Sequence, residues 1–263
     1  MESSSRRRFL TMAGVAVLGI GAKPVLDVLA AGQGEVAGSF KLKKGEGALN
    51  AKQWAMVIDT RKVEKASDLE PMISACHKIH NVPQMENKNH EIKWIWEEEY
   101  HYAFPTATSR YMNEHAEHIP FLVLCNHCEN PPCVRACPTK ATFKRESDGI
   151  VMMDFHRCIG CRFCMAACPY GARSFNFRDP RPFIKETNKE FPTRMKGVVE
   201  KCNYCAERIA VGKLPACVEA SNGILTFGDL FDPNSAVREL LKSNFTIRRK
   251  QSLGTEPSVY YIV

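Results

Sequence analysis

Apolar positions in this chain come mostly in short runs separated by polar turns, a pattern of small strands and short helices. Met56-Val57-Ile58, closed by Asp59, predicts a strand. Ala141-Thr142-Phe143 and Ile150-Val151-Met152 flank Ser147-Asp148-Gly149, which predicts two strands joined by a tight turn. Gly171 to Phe177 and Ile224 to Gly228 predict two more strands, and Val237 to Lys242 a short helix. Residues 33–53 are rich in glycine and lysine and read as a linker. Residues 84–120 read as an insert, with Trp94 and Trp96 two apart as on one strand face, the acidic run Glu97-Glu98-Glu99, and then Tyr100-His101-Tyr102. A strand, a cysteine group and another strand recur with pseudo-symmetric spacing, as in a duplicated module. The fold class expected is α+β.

The amino terminus has a pattern of its own. Ser5-Arg6-Arg7-Arg8-Phe9-Leu10-Thr11 precedes an apolar stretch, Met12 to Ala22, too short to span a bilayer comfortably. Small residues at Ala30, Ala31 and Gly32 offer a cleavage region. Residues 1–32 therefore read as a twin-arginine export signal, which places the protein on the periplasmic or extracytoplasmic side of a membrane. That route carries folded proteins and suits a cofactor inserted before export. The competing reading is a basic tail before a core helix.

Composition adds one anomaly. A chain of 263 residues with 44% hydrophobic content can pack an ordinary core, yet it holds 12 cysteines, all but Cys76 lying between Cys125 and Cys217. The net charge is +7; the leader's four basic and two acidic residues account for +2 of it, leaving +5. A basic total normally suggests nucleic acid or an anionic membrane. Here it is better read as compensation, because an oxidised four-iron cluster on four thiolates carries about −2.

Cys158, Cys161, Cys164 and Cys168 followed by Pro169 form C-x2-C-x2-C-x3-C-P. Such spacing wraps one tight loop around a cubane, with Gly160 permitting close backbone approach, while the fourth cysteine serves a neighbouring cluster. Cys125, Cys128, Cys133 and Cys137 before Pro138 repeat the device with two extra residues. Crossed ligation then gives Cys125, Cys128, Cys133 and Cys168 to one cluster, and Cys158, Cys161, Cys164 and Cys137 to a second. Cys202, Cys205 and Cys217 form C-x2-C-x11-C, which alone is weak and fits zinc as well. The position four residues after Cys217, where a fourth cysteine is expected, is Ser221. Six disulfides would use an even cysteine count, but repeated C-x2-C spacing is poor disulfide geometry.

These motifs resemble the four-cluster ferredoxin subunits of the complex iron–sulfur molybdoenzyme family, over nearly all the chain from Trp54. Within it the chain is most similar to the exported iron–sulfur subunit of the Dsr transmembrane complex, on Trp54 to Lys62, Ala75 to Pro83, Leu253 to Pro257 and Tyr260-Tyr261. The resemblance implies two ferredoxin-like modules of the bacterial 2[4Fe–4S] type, with the first motif paired to the last. Here the first motif is missing: Val63 to Ser74 holds no cysteine. Cys76 occupies the fourth-ligand position, and the pairing scheme assigns it to Cys202, Cys205 and Cys217. The lost cluster's own fourth ligand would be at Ser221. All 12 cysteines are then used, in three [4Fe–4S] clusters. The modules implied are residues 121–194 with two clusters, and a degenerate one-cluster module of 54–83 plus 195–263 with the tail. The implied role is an electron relay between an integral-membrane quinone-interacting subunit and a multihaem cytochrome c, in dissimilatory sulfur metabolism; the alternative is a relay subunit of another exported molybdoenzyme or hydrogenase complex.

Other classes find less support. There is no glycine-rich nucleotide loop, no nucleophile with a base and no flavin signature, so neither a small-molecule substrate nor a catalytic residue is expected. A self-sufficient reductase would need an open iron site, and twelve thiols at four per cluster leave none. A zinc docking module is the third reading. His77, His80, His101 and His127 could hydrogen-bond to cluster sulfur, though solvated or structural roles are the ordinary ones.

Overall fold

A computed structural model describes residues 47–107 and 119–263. The export signal expected over 1–32, the linker up to residue 46 and residues 108–118 of the expected insert lie outside the described residues.

Strand β1 (Trp54–Asp59) is buried along its whole length, because both its faces are covered. Trp54, Met56 and Ile58 face the main core, while Ala55 and Val57 face a smaller one. The strand sits inside a four-stranded sheet of order β8 (Leu225–Asp229), β1, β10 (Val259–Ile262), β9 (Thr246–Ile247). β8 runs antiparallel to β1, with Met56 opposite Phe227, and β10 runs parallel to it, with Met56 opposite Val259. Helix α7 (Ala236–Ser243) closes the small core through Val237, Leu240 and Leu241, the i, i+3, i+4 stripe of an amphipathic helix. Ser235 caps it, accepting from the Arg238 N–H at 3.2 Å. Residues 49–53, at the end of the expected linker, are tied down: Leu49 N–H donates to the Ile209 carbonyl, and Lys52 and Gln53 N–H to the Asp229 carboxylate.

Helix α1 (Glu70–Ile79) crosses the stretch where the resemblance would place a first motif, and buries Met72 and Cys76 four residues apart. Strand β2 (Ile95–Glu98) pairs antiparallel with β3 (Phe121–Leu124), and short helix α2 (Tyr100–Ala103) follows β2. Trp94 and Trp96 are both buried, so the described part of the expected insert belongs to the main core. The Trp94 indole donates to Glu200 at 2.9 Å, and Glu200 forms a buried ion pair with Arg194 at 2.7 Å. One-turn helices α3 (Pro132–Arg135), α4 (Phe163–Ala167), α5 (Ala206–Ile209) and α6 (Ala216–Glu219) punctuate the cysteine region.

The expected hairpin forms between β4 (Thr142–Lys144) and β5 (Val151–Met153), with a wider connection than Ser147 to Gly149 alone; Gly149 at φ +75° and an Arg145–Asp148 ion pair close it. The strand expected over Gly171–Phe177 is shorter. Only β6 (Ser174–Phe175) pairs, with β7 (Val199–Glu200). Gly171 lies at φ +66°, outside extended backbone, and Asn176 and Gly197 close the ladder by bonding to each other's loop. Among the described residues no helix is long and apolar enough to cross a membrane.

Candidate metal centres

Strand β3 delivers the chain directly into Cys125, and α3 carries Cys133. Cys125, Cys128, Cys133 and Cys168 all line one small cavity, together with Tyr170 and Arg173. Burial, then Cys125, with Cys133 and Cys168 adding to it, pushes the Cys128 thiol up to about 12.

The set around Cys202 is assembled from distant segments. β7 leads into Cys202 and Cys205, α6 carries Cys217, and α1, carrying Cys76, packs against α6. Cys76 is buried, and its thiol is held well above the ordinary range by burial and then by Cys202, Cys205 and Cys217. Backbone N–H groups point at sulfur here: Tyr204 N to Cys202 Sγ and Ala216 N to Cys205 Sγ, both 3.4 Å. Ser221 serves a turn instead, donating to the Val218 carbonyl at 2.7 Å. The stretch without cysteines contributes Val63, Leu69 and Met72 to the core.

The third group is more peripheral. Cys164 is buried beside Cys133 and Cys158, Cys158 and Cys137 are half-buried, and Cys161 is exposed between exposed Ile159 and Phe163. Gly160 lies at φ +71°, where a Cβ would collide with the Gly197 carbonyl oxygen, so the loop needs glycine there. Cys137 meets the Thr139 hydroxyl at 3.7 Å. Its slight burial pushes the thiol up, but hydrogen bonds from Thr142, Thr139 and Ala141 outweigh this and hold it below the usual range.

Two buried cations stand beside these thiols, and the motifs did not reveal them. Arg173 is 4% exposed and donates to Cys133 Sγ at 3.0 Å and to the Thr142 hydroxyl at 2.7 Å. Lys201 is 2% exposed and donates to the carbonyls of Val151 and Cys202. Among the described residues neither has a carboxylate partner. An unpaired buried cation is costly, so the fold is built around an anion. Thiols that raise one another cannot all ionise without a metal cation among them. Both features fit anionic iron–sulfur clusters held by thiolates. Of the four candidate histidines, His80 reaches a thiol: Nδ1 lies 3.0 Å from the Cys76 carbonyl and 3.6 Å from its sulfur, and Nε2 lies 2.9 Å from Glu207. His77 meets the Ile95 carbonyl, and His101 pairs with Glu99.

Small sheets, one-turn helices and grouped buried thiols with internal cations define a ferredoxin-like iron–sulfur protein. Residues 117–180 match the family model of a 4Fe-4S dicluster domain. The chain is 40% identical to the Hdr-like menaquinol oxidoreductase iron-sulfur subunit 1 of Archaeoglobus fulgidus, over 98% of this chain and 97% of that one. It is 35% identical to the menaquinone reductase iron-sulfur cluster-binding subunit of Nitratidesulfovibrio vulgaris, over 80% and 88%. With a tetrathionate reductase subunit of Salmonella typhimurium it shares 32%, over 98% and 88%. The chain belongs to the family of iron–sulfur electron-transfer subunits of multi-subunit oxidoreductases.

Proposed function

We propose that this protein relays electrons through three [4Fe–4S] clusters, between a membrane quinone-interacting subunit and a periplasmic multihaem cytochrome c, in a Dsr-type complex of dissimilatory sulfur metabolism. The observation that carries the relay reading is the gathering of Cys76 with Cys202, Cys205 and Cys217, and of Cys168 with Cys125, Cys128 and Cys133. Cys158, Cys161, Cys164 and Cys137 hold the remaining cluster in this reading. Bound there, the clusters supply one-electron redox chemistry at potentials set by nearby charge and hydrogen bonds. The chain's part is to hold four thiolates per cluster, to aim N–H groups at sulfur, and to neutralise charge with Arg173 and Lys201. The relatives support a quinone-interacting partner, since menaquinol and menaquinone stand in their names. Cys161, exposed among Ile159 and Phe163, offers the membrane subunit a point of electron exchange.

Anaerobically prepared protein should contain about 12 iron and about 12 sulfide per chain. Iron near 16 per chain, or stoichiometric zinc, overturns the count; His80, Cys205 and Glu207 place ligand atoms within 4.8 Å of one another, so zinc is the chemistry to test against. The second reading, a relay subunit of another exported molybdoenzyme or hydrogenase complex, is favoured by relatives such as the tetrathionate reductase subunit. The native complex separates the two readings: stoichiometric molybdenum or tungsten without c-type haem selects a molybdoenzyme relay subunit.

Export rests on Arg6 and Arg7. Changing both to Lys should leave cluster-loaded protein in the cytoplasm, measured by cell fractionation. Unimpaired appearance outside the inner membrane rejects the twin-arginine route.

A further inference from the structure

The C-x2-C that opens each of the three cysteine motifs has the same third position, occupied by His127 after Cys125-Asn126, by Gly160 after Cys158-Ile159 and by Tyr204 after Cys202-Asn203. All three adopt left-handed backbone: φ is +42° at His127, +71° at Gly160 and +55° at Tyr204. Glycine takes this conformation without strain, whereas a residue with a side chain does so at a cost of about 1–2 kcal/mol. Two loops nevertheless carry aromatic rings there, and those rings lie on each other. The His127 and Tyr204 centroids are 3.7 Å apart at an interplanar angle of 17°. Both residues are 1% exposed. His127 Nδ1 accepts from the Val151 N–H at 3.1 Å, which fixes the ring. The Tyr204 hydroxyl has no hydrogen-bond partner among the described residues, so a hydrogen bond made by the phenol is not what holds the residue in place. Its electrostatic neighbours are Cys202 from its own set, then Cys125 and Cys128 from the other. Phe227 packs edge-on against Tyr204, and Trp54 stacks on Phe227, so the pair is backed by the main core.

We infer that the stacked rings of His127 and Tyr204 are the positioning contact between the centre on Cys125, Cys128, Cys133 and Cys168 and the centre on Cys202, Cys205, Cys217 and Cys76, fixing their separation and filling the electron path between them. Tunnelling falls off exponentially with distance, and faster across a void than through packed atoms. Two rings in van der Waals contact, one on each ligand loop, give a filled path. In each transfer one electron leaves one centre and enters the other; the rings are neither oxidised nor reduced, and no proton moves.

This rests on the iron–sulfur reading and is tested separately from it. Tyr204→Leu removes the ring and keeps an apolar filler; Tyr204→Phe keeps the ring. Iron and sulfide are measured first: wild-type protein without iron refutes the cluster reading itself. With iron retained, Tyr204→Leu should slow electron transfer between the two centres at least tenfold after rapid pulse reduction, and Tyr204→Phe should restore most of the rate. An unchanged rate in fully loaded Tyr204→Leu overturns the inference. Should that variant lose iron, the wild type decides: fully reduced protein should show magnetic coupling in its EPR spectrum that is absent from Cys76→Ser protein shown by iron analysis to have lost that centre. Identical coupling in the two proteins overturns it as well.

Discussion

Exchanging Cys76 for serine should disturb one of the three proposed centres and leave the other two as they were. Cys76 lies on α1, more than 120 residues before Cys202, and its thiol is buried against the Cys202, Cys205 and Cys217 group. Serine offers a harder oxygen on a shorter bond, so the fourth corner of that centre is lost or weakened. Iron should fall from about 12 toward about 8 per chain. Where the serine oxygen does coordinate, the potential and EPR line of that centre alone should move. Three centres with unaltered spectra after this change would show that the crossed ligation is wrong. Ser221 offers no substitute, because its hydroxyl is engaged with Val218 and Leu225.

Replacing Arg173 by methionine should lower the potentials of two centres and destabilise the loaded protein. The guanidinium is buried; burial alone would ease its proton off, and the sulfurs of Cys133, Cys125, Cys164 and Cys168 hold it on. In the proposed ligation those four residues belong to the first and second ligand sets. Removing the cation leaves anionic centres uncompensated, and breaking a buried charge pairing typically costs about 3–5 kcal/mol. A missing positive charge also disfavours the added electron, which sets the downward direction. Redox titration followed by EPR should show both centres shifted and the Cys76 centre unmoved, while denaturant unfolding of the loaded protein should show the lost stability. Unchanged potentials would mean that Arg173 only packs.

Much of this arrangement is legible in the residues. The apolar runs at 56–58 and 224–228 form the central sheet strands, and Val237 to Lys242 forms α7, because each pattern needs only neighbours in sequence to be recognised. Cysteine spacing likewise announces the metal chemistry. The basic excess reads as internal compensation, yet nothing local marks Arg173 or Lys201 as the residues concerned. Each acquires its role from segments brought together by the fold: Arg173 from Cys133 and Thr142, Lys201 from Val151. The same holds for α1, whose mixed sequence buries only Met72 and Cys76, and for β10, whose parallel pairing with β1 leaves no periodic signal that names its partner. The short β6 reflects Gly171 in left-handed backbone and the Asn176–Gly197 hydrogen bond that ends the ladder, neither of which the residues announce.

The parallel pairing of β10 with β1 has a consequence for the order of assembly. Thr60 donates to the Ile262 carbonyl and Gln53 to the Ser258 hydroxyl, contacts spanning 202 and 205 positions. A nascent chain that has made β8 can pair one edge of its first strand, but the other edge stays open until residues 259–262 have left the ribosome. α1, with Cys76, follows that strand, and its dock against α6 waits for residues 216–219. Folding of this kind is slow, because a long loop must close before distant contacts repay it. In the proposed ligation the Cys76 group is complete only once Cys217 has been made, so its metal would come late in synthesis. A tag or truncation placed next to Val263 would act through β10 on β1, about 200 residues away in sequence, as well as on its near neighbour β9.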